Sequence, residues 1–143
     1  MKKLFVSILL MCIFISTEVY AKENFFDEAK NKFNEKKLED SKFLFQRNIV
    51  FNPKDAESYL YLAKIYNFEE NEEEEEKNLN TTLLLEPDNE EAMHMLINIE
   101  LKKSNYSKVK NLTKNFLVIC KNLCEKKEKI EESLKNIEPK NES

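Results

Sequence analysis

The stretch NPKDAESYLYLAKIYNF, residues 52–68, decides the fold because it joins a helix boundary to an amphipathic helix. Proline cannot continue a helix and is favoured at helix boundaries, so Pro53 marks a joint between two helices. Asp55 offers a side-chain oxygen that can cap the start of the next helix. After it, apolar residues recur at steps of three and four, which is the pattern of an amphipathic helix: Ala56, Tyr59, Leu60, Ala63 and Tyr66.

The same joint returns 34 residues later, where Glu86-Pro87-Asp88-Asn89 repeats Asn52-Pro53-Lys54-Asp55. A period of 34 residues is the length of a unit of two antiparallel helices and their turns. One such pair cannot bury its own apolar face, so neighbouring pairs must stack and share a core. The pattern predicts seven helices, near residues 24–36, 38–51, 55–68, 72–85, 89–103, 105–119 and 122–137.

On these residues the chain resembles the tetratricopeptide repeat (TPR) family. The middle unit carries the family's aromatic, leucine–small and proline positions at Tyr59, Leu62-Ala63, Tyr66 and Pro87. The third unit offers Met93, Leu96-Ile97, Tyr106 and Val109, and the first offers Ala29, Phe33, Leu38, Ser41, Phe45 and Pro53. The chain departs from the family where Glu75 replaces an alanine, where the third unit lacks its closing proline, and in having no glycine for the inter-helix turns.

The resemblance implies an all-α fold, a short right-handed superhelix of about three TPR-like helix pairs with a C-terminal capping helix. The repeat domain covers residues 22–120, in units of about 22–55, 56–89 and 90–121. Residues 121–143 form a capping or coiled-coil-like helix and a polar tail.

The C-terminal part permits a second interpretation. Its apolar residues follow steps of three, four or seven, and no proline or glycine separates residues 105 and 137, so one continuous helix with a heptad-like seam could form and dimerise. The seam comprises Val109, Leu112, Phe116, Ile119, Leu123, Ile130, Leu134 and Ile137.

The first 21 residues have the three parts of a secretory signal peptide. Lys2 and Lys3 precede an apolar run over residues 4–15, and Val19-Tyr20-Ala21 suits signal peptidase. The run falls short of the roughly 20 apolar residues that span a membrane. We therefore expect an exported protein, in the periplasm or cell envelope of a bacterium or otherwise in the secretory pathway. The alternatives are an uncleaved anchor, which would be the chain's membrane contact, or a lipoprotein acylated at Cys12.

Composition narrows the functional classes. Without residues 1–21 the chain keeps 21 basic and 26 acidic residues, a net charge of −5, which argues against a nucleic-acid partner. The absence of glycine excludes phosphate-cradling loops, and His94 as the single histidine excludes triads and histidine clusters. We predict no catalytic residues, no metal site, no cofactor and no enzymatic activity.

Charged residues are distributed unevenly along the chain. Residues 69–91 are strongly acidic and residues 102–129 are lysine-rich, an asymmetry that can steer a partner or promote head-to-tail association. The run Glu69–Glu76 lacks the alternating spacing and glycine of a calcium loop, so we interpret it as a solvated turn and helix start.

Cys120 and Cys124 form an even pair, which suggests a disulfide in an exported protein. Positions i and i+4 of a regular helix lie near the upper limit of the separation that a disulfide accepts. Two buried thiols, a local disulfide at a helix break and an intermolecular disulfide are therefore all open.

The predicted function is that of a protein-interaction module or scaffold that binds a peptide or a partner helix in a concave groove. The alternative is a self-associating structural envelope protein, a possible homodimer, that uses its C-terminal helix. By the resemblance, the groove is lined by Phe26, Lys30, Phe33, Leu60, Lys64, Asn67, Phe68, His94, Asn98, Leu101 and Lys102.

Overall fold

The computed structural model describes residues 25–138, and every regular element in that range is helical. The all-α helical-repeat class and the seven predicted helices are confirmed. The helices are α1 (25–34), α2 (Leu38–Phe51), α3 (Ala56–Phe68), α4 (Glu72–Leu85), α5 (Glu90–Lys102), α6 (Tyr106–Ile119) and α7 (Lys127–Asn136), with a 3₁₀ turn at Cys124–Lys126 before α7. None of the described helices has the length and apolar character needed to span a membrane. The predicted signal peptide lies outside the described residues.

The chain divides after Ser58, within α3, into two compact units. In the first unit, α1 and α2 pack closely because small side chains meet between them. Ala29 and Ser41 are both fully buried, and the Ser41 hydroxyl donates to the Ala29 carbonyl at 2.9 Å. The buried Phe45 ring packs edge-on against Phe26, with 5.7 Å between ring centroids.

The second unit contains two apolar clusters, and α5 contributes residues to both. The first cluster joins α3, α4 and α5 and consists of Leu60, Ala63, Leu79, Ala92, Leu96 and Ile99. The second joins α5, α6 and α7 and consists of Met93, Ile97, Val109, Phe116 and Ile130. Because α5 contributes to both clusters, it is the central helix of this unit.

The turns inside the helix pairs are built without glycine. Lys36, Glu70 and Ser104 have φ values of 61°, 56° and 54°, in the left-handed region that favours glycine. They recur at intervals of 34 residues, one in each repeat. Each is followed by a backbone bond from residue i+5 to carbonyl i that closes the helix end, as from Asn71 N to Tyr66 O at 2.9 Å. The missing glycines therefore leave the turn geometry of the repeat unchanged.

Asparagine caps three helices of the second unit. The side chains of Asn71, Asn89 and Asn105 accept from the backbone N–H three residues later, at 3.2, 2.9 and 3.4 Å. Each bond satisfies one of the donors left unpaired at a helix start.

The alternative interpretation, one continuous C-terminal helix, is wrong, because α6 ends at Ile119 and α7 begins at Lys127. The chain turns between them so that the apolar residues of both helices face α5. The residues of the seam all lie in or against the second cluster, namely Val109, Leu112, Phe116, Ile119, Leu123, Ile130, Leu134 and Ile137. The surface proposed for dimerisation is thus used within the chain.

The acidic run is only partly a solvated helix start. Glu75 is 4 % exposed and accepts from the Asn67 amide at 3.1 Å with both carboxylate oxygens. Burial raises the pKa of Glu75, while the Asn67 hydrogen bond opposes that shift. Glu75 occupies the position where the family prefers alanine, and α4 accommodates it through this hydrogen bond.

Candidate functional site: a cleft between α5 and α7

A cleft of about 240 Å³ lies between α5 and the C-terminal segment of the second unit. One wall is the face of α5 on which side chains recur at steps of three and four, and the other is formed by the 3₁₀ turn and α7. The cleft is lined by His94, Asn98, Leu101, Lys126, Lys129, Ile130 and Ser133.

The base of the cleft is apolar and its rim is polar. Ile130 is 2 % exposed within the second cluster, and Leu101 packs against the same cluster. Asn98 is exposed on one wall, and Lys129 is exposed on the other. Apolar groups at the centre with amide and charged groups around them are the usual composition of a surface that binds another molecule.

His94 is half-buried, with its ring centroid 6.1 Å from that of Phe116. Burial lowers the pKa of the imidazole, and the nearby charges of Lys126 and Lys129 lower it further. The ring is therefore neutral at pH 7, and one nitrogen can donate a hydrogen bond while the other accepts one.

The position of the α7 wall depends on Glu90, the first residue of α5. Its carboxylate accepts from the backbone N–H groups of Lys121, Asn122 and Leu123 at 2.7, 3.0 and 3.2 Å, and from the Asn122 side chain at 2.9 Å. These bonds, that of Lys121 first, lower the pKa of Glu90 to about 2. Glu90 thus fixes the segment between α6 and α7 to the start of α5.

A disulfide between Cys120 and Cys124 closes the same segment, with 5.3 Å between the Cα atoms. Cys120 is the C-cap of α6 and Cys124 opens the 3₁₀ turn, so the pair lies at a helix break. The break brings the Cα atoms into the range that a disulfide accepts. In the third repeat, Cys120 stands where Asn52 and Glu86 end the second helices of the earlier repeats.

A network of charges joins α4, α5 and α6 in the same unit. Lys108 pairs with Glu76 at 3.0 Å and with Glu100, a side chain that is only 2 % exposed. Lys103 also pairs with Glu76, and Asn105 donates to Glu100 at 3.0 Å. The hydrogen bonds from Lys103 and Lys108 lower the pKa of Glu76. Part of the charge asymmetry along the sequence is therefore neutralised inside the unit.

The structure brings together three of the predicted groove residues, His94, Asn98 and Leu101. Leu60 does not line this cleft, because it is buried in the first apolar cluster between α3, α4 and α5. A helical stripe of period 3.6 does not distinguish the residues that face the core from those that flank it.

The other predicted residues of the second unit lie outside this cleft. Lys64 pairs with Glu91 at 2.8 Å, and Asn67 is the donor to Glu75. Phe68 is 55 % exposed at the end of α3, and Lys102 is exposed at the end of α5.

In the first unit, the predicted residues interact with one another and with their neighbours. The Lys30 ammonium lies 5.5 Å from the centroid of the Phe26 ring, and Lys36 lies 5.9 Å from that of Phe33. A more open depression between α1 and α2 is lined by none of these residues but by Glu28, Lys32, Asp40, Phe43 and Leu44.

The α7 side of the cleft was not among the predicted site residues. Ile130 belongs to the apolar stripe that indicated an inward-facing helix, and beside that stripe Lys126, Lys129 and Ser133 succeed one another at steps of three and four. That spacing, together with a capping helix folded back on α5, is the signal that would have identified them. Within residues 25–138, no group of three or more His, Cys, Asp or Glu side chains could hold a metal ion.

Comparison with solved structures gives the fold a name. The type III secretion translocator chaperone SycD of Yersinia enterocolitica matches with a TM-score of 0.68 at 15 % identity, over 80 % of this chain and 81 % of the chaperone. The first TPR of Spaghetti, bound to the HSP90 peptide SRMEEVD, matches with a TM-score of 0.70 at 11 % identity. The match covers 81 % of this chain and 94 % of the Spaghetti chain. SycD in complex with a peptide of the translocator YopD matches with a TM-score of 0.67 at 17 % identity. The match covers 80 % of this chain and 90 % of the SycD chain.

This likeness shows that the chain has a TPR-like fold. These neighbours are chaperones and binding modules rather than enzymes. No protein-family model and no curated protein matches the sequence.

Proposed function

We propose that this protein is a peptide-binding module, and that the α5–α7 cleft holds an extended segment or a helix of a partner protein. The observation that carries the proposal is the composition of the cleft, with Leu101 and Ile130 at its base and Asn98 and Ser133 at its edges. Burial of an apolar side chain supplies affinity, and the amide and hydroxyl groups satisfy the polar backbone of a peptide.

The structural neighbours support the same function. The Spaghetti TPR is bound to an HSP90 peptide and SycD to a YopD peptide, so this fold accommodates short peptides. The binding of partners by SycD and Spaghetti comes to this chain only as a proposal, because the sequences are 11–17 % identical.

A displayed library of random 12-residue peptides, panned on the purified protein, tests the proposal. Enriched peptides carrying fluorescein are then titrated by fluorescence anisotropy against two matched variants. Asn98→Trp fills the cleft from an exposed position on α5, whereas Asn111→Trp makes the same change at an exposed position on α6 that does not line it.

We expect Asn98→Trp to weaken binding at least tenfold, a loss of about 1.4 kcal/mol, and Asn111→Trp to leave binding unchanged. A failure to enrich any peptide, or equal affinity for Asn98→Trp and the unchanged protein, would contradict the proposed site.

Export through cleavage after Ala21 is part of the proposal, and its support is the three-part N-terminal segment. Mass spectrometry of the protein recovered from its native cells measures the N-terminus directly. We expect it at Lys22, and recovery of the intact chain from the cytosol would refute export.

Self-association remains the alternative function. Its support is the uneven charge along the chain, but the apolar seam invoked for it packs within the second unit. Sedimentation of the purified protein decides between the two. A stable dimer that is lost on removal of residues 121–143 would favour the alternative.

A further inference from the structure

The segment between α6 and α7 determines where the second wall of the cleft lies. Only Glu125 separates Cys124 from Lys126, the first cleft residue of this wall. Helix α7 has ten residues, fewer than an isolated helix needs to be stable in water, so its position depends on packing and on its attachment.

The apolar packing of α7 against the rest of the unit involves few residues. Ile130 is its one buried residue, and Leu134 and Ile137 are half-buried. At the far end, the Tyr106 hydroxyl donates to Glu138 at 2.9 Å. The attachment at the near end is therefore important for keeping the wall in place.

Two tethers act on that near end. One is the Glu90 carboxylate, which accepts the N–H groups of residues 121–123, and the other is the disulfide across the same turn. No proline restrains the backbone between residues 105 and 137, so the Glu90 bonds are the main tether at this end once the disulfide is reduced.

The disulfide is open to a reductant from outside. Cys124 is exposed and Cys120 is half-buried, so a thiolate can reach the Cys124 sulfur. The turn it closes is short, and a cross-link of this kind acts mainly by restricting the open state of the chain.

We propose that the Cys120–Cys124 disulfide is a redox-sensitive clamp that holds α7 as a wall of the cleft. A dithiol reductant attacks Cys124 and forms a mixed disulfide, and the thiolate of Cys120 leaves and takes up a proton. The second thiol of the reductant then attacks the mixed disulfide and releases Cys124 as a thiol. Two electrons and two protons pass to the protein, and the reductant becomes a disulfide. Reduction loosens α7 and thereby lowers the affinity of the cleft for a bound peptide. This last step rests on the proposed function.

Amide hydrogen exchange of the purified protein, before and after dithiothreitol, tests the clamp without any ligand. We expect exchange over residues 127–136 to accelerate on the order of tenfold on reduction, while exchange within α4 stays constant. Cys120→Ser with Cys124→Ser should exchange like the reduced protein and respond no further to dithiothreitol.

Unchanged exchange over residues 127–136 after complete reduction would overturn the proposal, as would an equal acceleration throughout α4. The same samples titrated with the selected peptides separate the two hypotheses. Accelerated exchange in a protein that binds no peptide in either redox state supports the clamp and refutes the proposed function.

Discussion

At the scale of single residues, Glu90 links the start of α5 to the turn before α7. Its folded-state pKa of about 2 lies below the unfolded value of about 4.3. A depressed pKa contributes stability that is present above the unfolded value and is lost as pH falls through the folded one. We therefore expect stability to fall between pH 5 and pH 2, and Glu90→Gln to reduce that fall.

Thermal unfolding followed by circular dichroism over this pH range measures the effect of Glu90. The matched control is Glu132→Gln, a change of the same kind at an exposed position of α7. Its profile should follow that of the unchanged protein, and identical profiles for all three proteins would show that Glu90 does not bind the turn.

Lys108 is the second residue with a specific prediction, because it is a counter-ion of the buried Glu100. Lys108→Met leaves that carboxylate with the Asn105 amide, so we expect a loss of about 1–3 kcal/mol in the free energy of unfolding. The partial exposure of Lys108 keeps the loss below that of a fully buried pair.

Urea unfolding of Lys108→Met, compared with Lys114→Met on the exposed side of α6, provides the measurement. The control should change stability by less than about 0.5 kcal/mol. If the two variants are equally stable, Glu100 does not depend on Lys108.

At the scale of helices and turns, the three left-handed residues carry the next prediction. Lys36, Glu70 and Ser104 hold a conformation that costs a residue with a side chain more than it costs glycine. Replacing all three by glycine should raise stability by about 0.5–1 kcal/mol at each site.

Glu69→Gly is the control for the turn variants, because Glu69 is not among the residues with positive φ. We expect it to give no gain, since glycine there adds freedom to the unfolded chain without relieving a left-handed conformation. Chemical unfolding that shows the triple variant to be no more stable than the unchanged chain would contradict the turn geometry.

Helix bounds could be predicted from the sequence because prolines and apolar periods act locally. Pro53 and Pro87 mark two joints, and the 34-residue period extends them to the remaining helices. The sequence predicted a break between residues 119 and 122 but also left one continuous helix open, and the structure has the break between α6 and α7. It depends on Glu90, which lies 31 residues before Lys121, and no local pattern reports such a contact.

The same limit applies to the site. The family resemblance assigned His94, Asn98 and Leu101 to a concave groove, and the three residues lie together on one wall of the cleft. The opposite wall comes from a segment after the last repeat, whose position is set by long-range packing of Ile130. Leu60 was predicted to line the groove and is buried in the first apolar cluster, since the same apolar periodicity serves both a core and a groove.

At the scale of the whole molecule, charge pairing within the second unit decides which lysines are left for a partner. Lysines that follow residue 102 pair with glutamates of α4 and α5, so part of the sequence asymmetry contributes to the internal structure of the second unit. Lys129 remains exposed at the rim of the cleft, where it is available to a bound partner.

The central claim is that a partner peptide occupies the cleft between α5 and α7. The most direct measurement is photo-crosslinking of a selected peptide that carries a benzophenone group, followed by mass spectrometry of the modified residues. We predict crosslinks within residues 94–101 and 126–133, and their loss in Asn98→Trp. Crosslinks confined to α2, or spread evenly over the protein and unaffected by Asn98→Trp, would contradict the claim.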